Sequence, residues 1–105
     1  MNAKWLIVPA AAALFVSTQA SADLALAKKS GCLACHSIEK KIVGPAWKDV
    51  AAKYKGDAGA RDRLIAKVHK GGKGVWGPAP MPPYSPRVSD ANIEKLVDFV
   101  LSLSN

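Results

Sequence analysis

Cys32-Leu33-Ala34-Cys35-His36 is the stretch on which the reading of this chain turns. Two cysteines three apart on a helical turn point their thiols the same way. The residue after the second lies about 100° further round on the 3.6-residue period. Thiols so placed can add to the two vinyl groups along one side of a porphyrin, while His36 sets a ring nitrogen over the iron. Cys-x-x-Cys-His is therefore the pattern of a c-type haem attachment site. Taken alone, the five residues also fit a redox dithiol or a zinc site, so the surroundings must decide.

Upstream, Met1-Asn2-Ala3-Lys4 carries one positive charge, and Trp5 to Val16 is an apolar, alanine-rich run. Polar Ser17-Thr18-Gln19 and then the small residues Ala20-Ser21-Ala22 follow. This is the pattern of a secretory signal peptide, residues 1–22, with cleavage expected after Ala22. The run from Trp5 to Val16 contains Pro9 and is short for a membrane span. The expected mature domain is Asp23 to Asn105, exported and not inserted in the membrane.

A segment from Asp23 to Asn105 makes a thin core, and domains of that size often need an internal staple. The two cysteines are too close in sequence for a disulfide between them to organise a fold. A haem supplies a large apolar plate to wrap, and thioether bonds consume two thiols that an oxidising compartment would otherwise oxidise. Taking Lys4 from the chain's 15 Lys and Arg leaves 14 against 8 acids, net +6 for the mature segment. That balance fits a solvated basic surface, or an acidic docking partner drawn in by long-range attraction. No nucleic-acid-binding motif accompanies it.

Asp23 to Lys29 reads as a short helix with its acid at the start and its lysines at the end, as the helix dipole favours. Gly31 then either caps that helix or lets another approach closely. Ser37 to Trp47 reads as a loop, because Val43-Gly44-Pro45-Ala46 lacks helical period and Gly-Pro signals a turn. A short helix is expected over Asp49 to Tyr54 and a longer one over Asp57 to Lys70. The longer helix puts Leu64, Ile65 and Val68 on one side, Arg61, Arg63, Lys67 and Lys70 largely on the other, and Gly71 at its C-cap. The last helix is N-capped by Ser89, with Asp90 in its first turn. Its apolar residues Ile93, Leu96, Val97, Val100 and Leu101 recur at i, i+3, i+4, i+7 and i+8. No strand pair is expected, and the class is all-α.

Five of the seven prolines fall between Pro78 and Pro86, which makes that segment extended and stiff. Met81 sits inside it between Pro80 and Pro82. A methionine is usually a gap-filler. This one is the only methionine of the mature segment and lies on a rigid, non-helical strap. Haem iron with His on one face often takes Met on the other. His69, one position past Val68 among lysines, reads instead as an exposed helix residue. With both axial positions filled, no site is open for oxygen or peroxide, which points to outer-sphere electron transfer and not to catalysis.

Gly31-Cys32-Leu33-Ala34-Cys35-His36, Val43-Gly44-Pro45-Ala46, Lys48-Asp49-Val50-Ala51-Ala52-Lys53 and Gly74-Val75-Trp76-Gly77-Pro78 running on to Pro80-Met81-Pro82-Pro83 together resemble the small bacterial class I cytochromes c of the c-551/c-552 type. The resemblance spans Asp23 to Asn105. It implies about four helices around one covalently bound haem c (heme c), with Cys32 and Cys35 as thioether attachment points and His36 and Met81 as axial ligands to the iron. It also implies a periplasmic electron shuttle, expected to be a monomer, between respiratory donors and terminal reductases or oxidases. By the same resemblance the second ring N–H of His36 bonds the carbonyl of Pro45, which fixes the tautomer; otherwise Pro45 only shapes the turn. Trp76 matches the position whose indole N–H bonds a haem propionate, the other reading being simple packing on the porphyrin.

This chain also departs from the pattern. Tyr84 stands where an Asn often bonds the ligand sulfur. Lys67 stands where an Arg lies near the propionates, keeping the charge but losing the bidentate fork. Pro86 and Arg87 fall in a two-residue insertion, and Trp47 replaces a smaller aromatic at a core position. A haem enzyme or gas sensor, a dithiol oxidoreductase and a zinc protein are the other classes weighed. Lysines near the relevant segments (Lys28, Lys29, Lys40, Lys41 and Lys73) are the candidates for the docking face.

Overall fold

The computed structural model describes residues 22–104. The expected signal peptide therefore lies outside the described residues, except for its last residue. Four helices make the frame: α1 over 22–29, α2 over Trp47–Lys53, α3 over Ala60–Lys70 and α4 over Asp90–Leu101.

Helix α4 is the axis of the core, and both α2 and α3 pack on it. Ile93, Leu96 and Val97 are buried as their spacing requires. Phe99, absent from the expected stripe, is buried as well and meets Trp47 of α2 edge-on, with ring centroids 6.1 Å apart. Ala27 of α1 is fully buried in the same cluster. Ser89 caps α4 as expected, its hydroxyl accepting from the backbone N–H of Asn92 at 3.2 Å.

Gly31 adopts φ +86 just past α1, and a Cβ there would meet nothing within 4 Å. Of its two readings the structure takes the cap. Cys32–Ala34 forms a 3-10 turn and not an α-helical one. At three residues per turn, positions i and i+3 eclipse, which aligns Cys32 with Cys35 more closely than the α period would.

Two helix starts differ from expectation, each for a local reason. Helix α2 begins at Trp47, two residues early. Its first N–H groups, those of Trp47 and Lys48, donate to the carbonyls of Ser37 and Ile38 at 2.9 and 3.1 Å. The folded-back loop thus satisfies orphan donors that a side-chain cap would otherwise serve. Helix α3 begins at Ala60, three residues late. Asp57 spends its carboxylate on the Gly59 N–H at 3.0 Å and on Arg63, so it shapes the turn before the helix.

The expectation of no strand pair is corrected by a small antiparallel hairpin, β1 over Gly72–Gly74 and β2 over Gly77–Met81. Gly72 pairs with Met81 and Gly74 with Gly77, with an irregularity between them. The hairpin lacks a strand's usual signature because β1 is Gly-Lys-Gly with both glycines at positive φ, without β-branched residues. Pro78 and Pro80 have no N–H to give a ladder and sit in a strand paired on one side only.

Candidate haem-binding site

Between the 3-10 turn, the 36–46 loop, α3, α4 and the hairpin lies a cleft partly open to solvent. All seven residues singled out from sequence line it: Cys32, Cys35, His36, Pro45, Lys67, Trp76 and Met81. His69 does not; its Nε2 lies 2.8 Å from the Asp90 carboxylate and ties the end of α3 to the start of α4. Most of the remaining wall is apolar, from Val50, Leu64, Val68, Leu96, Val97 and Val100.

The cysteine side is set by the 3-10 turn. Cys32 is 8% exposed and Cys35 half-buried, and both are free thiols. Burial pushes the Cys32 thiol above its ordinary range.

The imidazole of His36 is confined from several directions. Its Nδ1 lies 2.9 Å from the carbonyl oxygen of Pro45. A carbonyl only accepts, so Nδ1 carries the proton and donates, leaving the lone pair on Nε2. Trp47 stacks near-parallel to the ring at 5.5 Å between centroids. Sequence reasoning placed Trp47 in the core, and it is there at 5% exposed. Its contact with the imidazole is an addition that no sequence signal carried. Gly44 closes another side: a Cβ built there would fall 2.5 Å from Cε1, 2.9 Å from Nδ1 and 3.0 Å from Nε2. Only a hydrogen at that position leaves the ring its place. The Gly-Pro signal marked the turn but not this close approach.

Met81 ends β2 and is half-buried in the wall of the same cleft. The strap that carries it is fastened to the end of α3. Tyr84 N–H donates to the Val68 carbonyl at 3.0 Å, and Ser85 N–H to that of His69 at 3.3 Å. Gly71, at φ +75, lets the chain turn beneath it; a Cβ there would meet the Met81 carbonyl oxygen at 2.5 Å and the Pro83 nitrogen at 2.8 Å. Tyr84 is buried at 7% exposure, and burial pushes its phenol up.

At the mouth, Trp76 sits in the hairpin turn, 40% exposed, with the Lys53 ammonium 5.8 Å from its ring. The same ammonium lies 5.8 Å from the ring of Tyr54, which also lines the cleft. Lys67 is half-buried and not on a wholly solvated face, because Leu64, Lys67 and Val68 share one side of α3. Its ammonium lies over Gly72, 2.8 Å from where a Cβ would stand. No carboxylate lines the cleft among the described residues.

The donor set fits a c-type haem: two thiols three residues apart, an imidazole whose Nε2 is free, a thioether in the same apolar wall, and the cation of Lys67 beside them. Among the described residues no three His, Cys, Asp or Glu side chains gather as a metal-ion cluster.

Comparison with known proteins gives the same picture. Residues 24–104 match the family model described as Cytochrome c. The cytochrome c-551 of Allochromatium vinosum is 59% identical over 91 residues, 87% of this chain and 96% of that protein. The cytochrome c-552 of Nitrosomonas europaea is 50% identical over 103 residues, 98% of this chain and 99% of that one. The crystal structure of wild-type Nitrosomonas europaea cytochrome c552 superposes with a TM-score of 0.72 at 50% identity, covering 76% of this chain and 98% of the other.

Proposed function

The chain belongs to the cytochrome c family, an electron-transfer haem protein with a covalently bound c-type haem and its iron, and from that premise we propose that Cys32 and Cys35 carry the thioethers, that His36 and Met81 are the axial ligands, and that the protein is a periplasmic shuttle. The observation that carries this reading is the convergence of those four side chains on one apolar cleft.

Each part of the chain has a task in it. The haem supplies the one-electron couple. The Pro45 carbonyl holds the Nδ1 proton, which keeps Nε2 free and makes the ring a stronger donor. Gly44 and Trp47 hold the ring in place, and the strap fastened to Val68 and His69 holds Met81 opposite. A thioether ligand favours the ferrous state. Stiff mounts on both sides mean that little moves between oxidation states. Trp76 and Lys67 serve the propionates from the mouth of the cleft.

Export is supported by the leader pattern of residues 1–22. Family membership implies redox proteins as partners. An acidic docking patch on them is supported by the charge layout. Lys28, Lys29, Lys40, Lys41 and Lys73 are exposed and have no carboxylate partner among the described residues, while no acid lines the cleft. Turnover between respiratory donors and terminal reductases or oxidases, as a monomer and without substrate chemistry, completes the proposal.

The test is Met81→Ala in the haem-bearing protein. Loss of the low-spin ferric spectrum and of the Met–iron charge-transfer band, with a lower reduction potential, is expected. An unchanged spectrum and potential would remove Met81 as ligand. Rapid carbon monoxide binding to the reduced unsubstituted protein at neutral pH would favour a sensor or enzyme instead.

A further inference from the structure

Of the three arginines, two are neutralised: Arg61 by Glu94 and Asp98, Arg63 by Asp57. Arg87 has no carboxylate partner among the described residues. Its guanidinium carbon stands 4.7 Å from the centroid of the Tyr84 ring, against 5.8 to 5.9 Å for the other cation–ring contacts. Tyr84 lines the cleft and is buried, whereas Arg87 is exposed and outside the wall. The ring therefore stands between the cation and the cleft, and the planar stack restrains where the charge sits. Tyr84 and Cys32 belong to one buried cluster, and Arg87 lines a shallow depression with Leu26, Lys29 and Ser30, next to the turn that carries Cys32.

We propose that Arg87, stacked on Tyr84, is a potential-setting cation whose uncompensated charge beside the Cys32 flank of the cleft favours the reduced haem. This rests on the haem lying in the cleft as proposed above. Adding one electron, from a protein partner or a small-molecule mediator, lowers the charge in the cleft by one unit. A fixed cation nearby interacts more favourably with the lower charge. No bond forms or breaks and no proton is taken up.

The experiment is a mediated spectroelectrochemical titration of the haem-bearing protein and four variants. Arg87→Gln and Arg87→Met remove the charge. At fixed mediator potential each is expected to move the oxidised-to-reduced ratio about threefold toward oxidised, the scale of one solvent-screened charge. That is about 28 mV for a one-electron couple. Arg87→Lys keeps the charge and should keep most of the ratio. Lys95→Gln changes the net charge equally from the exposed face of α4, outside the cleft wall, and should move the ratio far less. Neutral variants with an unchanged potential and an intact low-spin spectrum overturn the proposal. So does a shift in Lys95→Gln as large as that in Arg87→Gln, which would leave only net charge. Failure of the underlying ligation would look different: the unsubstituted protein itself would lack the six-coordinate spectrum.

Discussion

Replacing Gly44 by Ala tests the confinement of His36 most directly. Gly44 is not among the glycines at positive φ, so the substitution adds a methyl without backbone strain. The added carbon would sit 2.5 Å from Cε1 of the imidazole. Comfortable carbon–carbon contact is about 3.5–4.0 Å, so the ring must give way by about 1 Å. It has little room, because Trp47 is stacked against it and Nδ1 is committed to Pro45 at 2.9 Å. Overpacking of this kind costs about 1–3 kcal/mol, and loosening the hydrogen bond about 1 kcal/mol more. The unfolded chain loses freedom on Gly→Ala, which offsets about 0.4–1 kcal/mol. The net expectation is a loss of about 1–3.6 kcal/mol, a large share of a small domain's stability. Guanidinium unfolding of the oxidised haem protein, followed by far-UV circular dichroism, measures it. Gly56→Ala is the comparison: φ is +80 there and a Cβ would meet nothing within 4 Å, so it reports backbone strain without collision. A Gly44→Ala protein as stable as the unsubstituted one would refute the argument, since only the entropic gain would remain.

Gly71→Ala drives a methyl into the Met81 carbonyl and the Pro83 nitrogen from a positive-φ position. The strap should shift and the Met–iron charge-transfer band weaken, with the His36 side unaffected. Ser89→Ala removes the cap of α4 and should cost about 1 kcal/mol in the same denaturant assay, with no change in the visible spectrum. The Arg63 guanidinium and the Gly59 N–H hold the Asp57 carboxyl below its ordinary value of 3.8. A depressed carboxylate contributes stability above its unfolded pKa and loses it as pH falls through the folded one. Asp57→Asn should therefore flatten the stability-versus-pH profile below about pH 4, by an amount that shrinks with salt because the pair is exposed.

The four residues that meet in the cleft were legible because their types are rare in this chain and their spacing is specific: Cys32, Cys35 and His36 by motif, Met81 by its solitary place on a proline strap. Helix α4 was legible because period and cap agree. Elsewhere a short-range signal was outweighed by a contact formed only in the folded chain. Asp57 looks like a helix start until Arg63 and Gly59 compete for its carboxylate. Trp47 looks like the end of a loop until the Ser37 carbonyl takes its N–H. The hairpin was hidden because glycine geometry, and not strand propensity, builds it. Gly44 and Trp47 acquire their relation to the imidazole only when the loop folds back, and the bond from His36 to Pro45 was expected from resemblance alone. The pairing of Arg87 with Tyr84 lies within a segment where sequence offered a departure from pattern and no role.

The loop that seats the imidazole also supplies the carbonyls receiving the first amides of α2. The loop cannot swing away without breaking those two hydrogen bonds. On the ligation proposed above, amide exchange at Trp47 and Lys48 in the haem protein should therefore rise together with release of His36 from the iron.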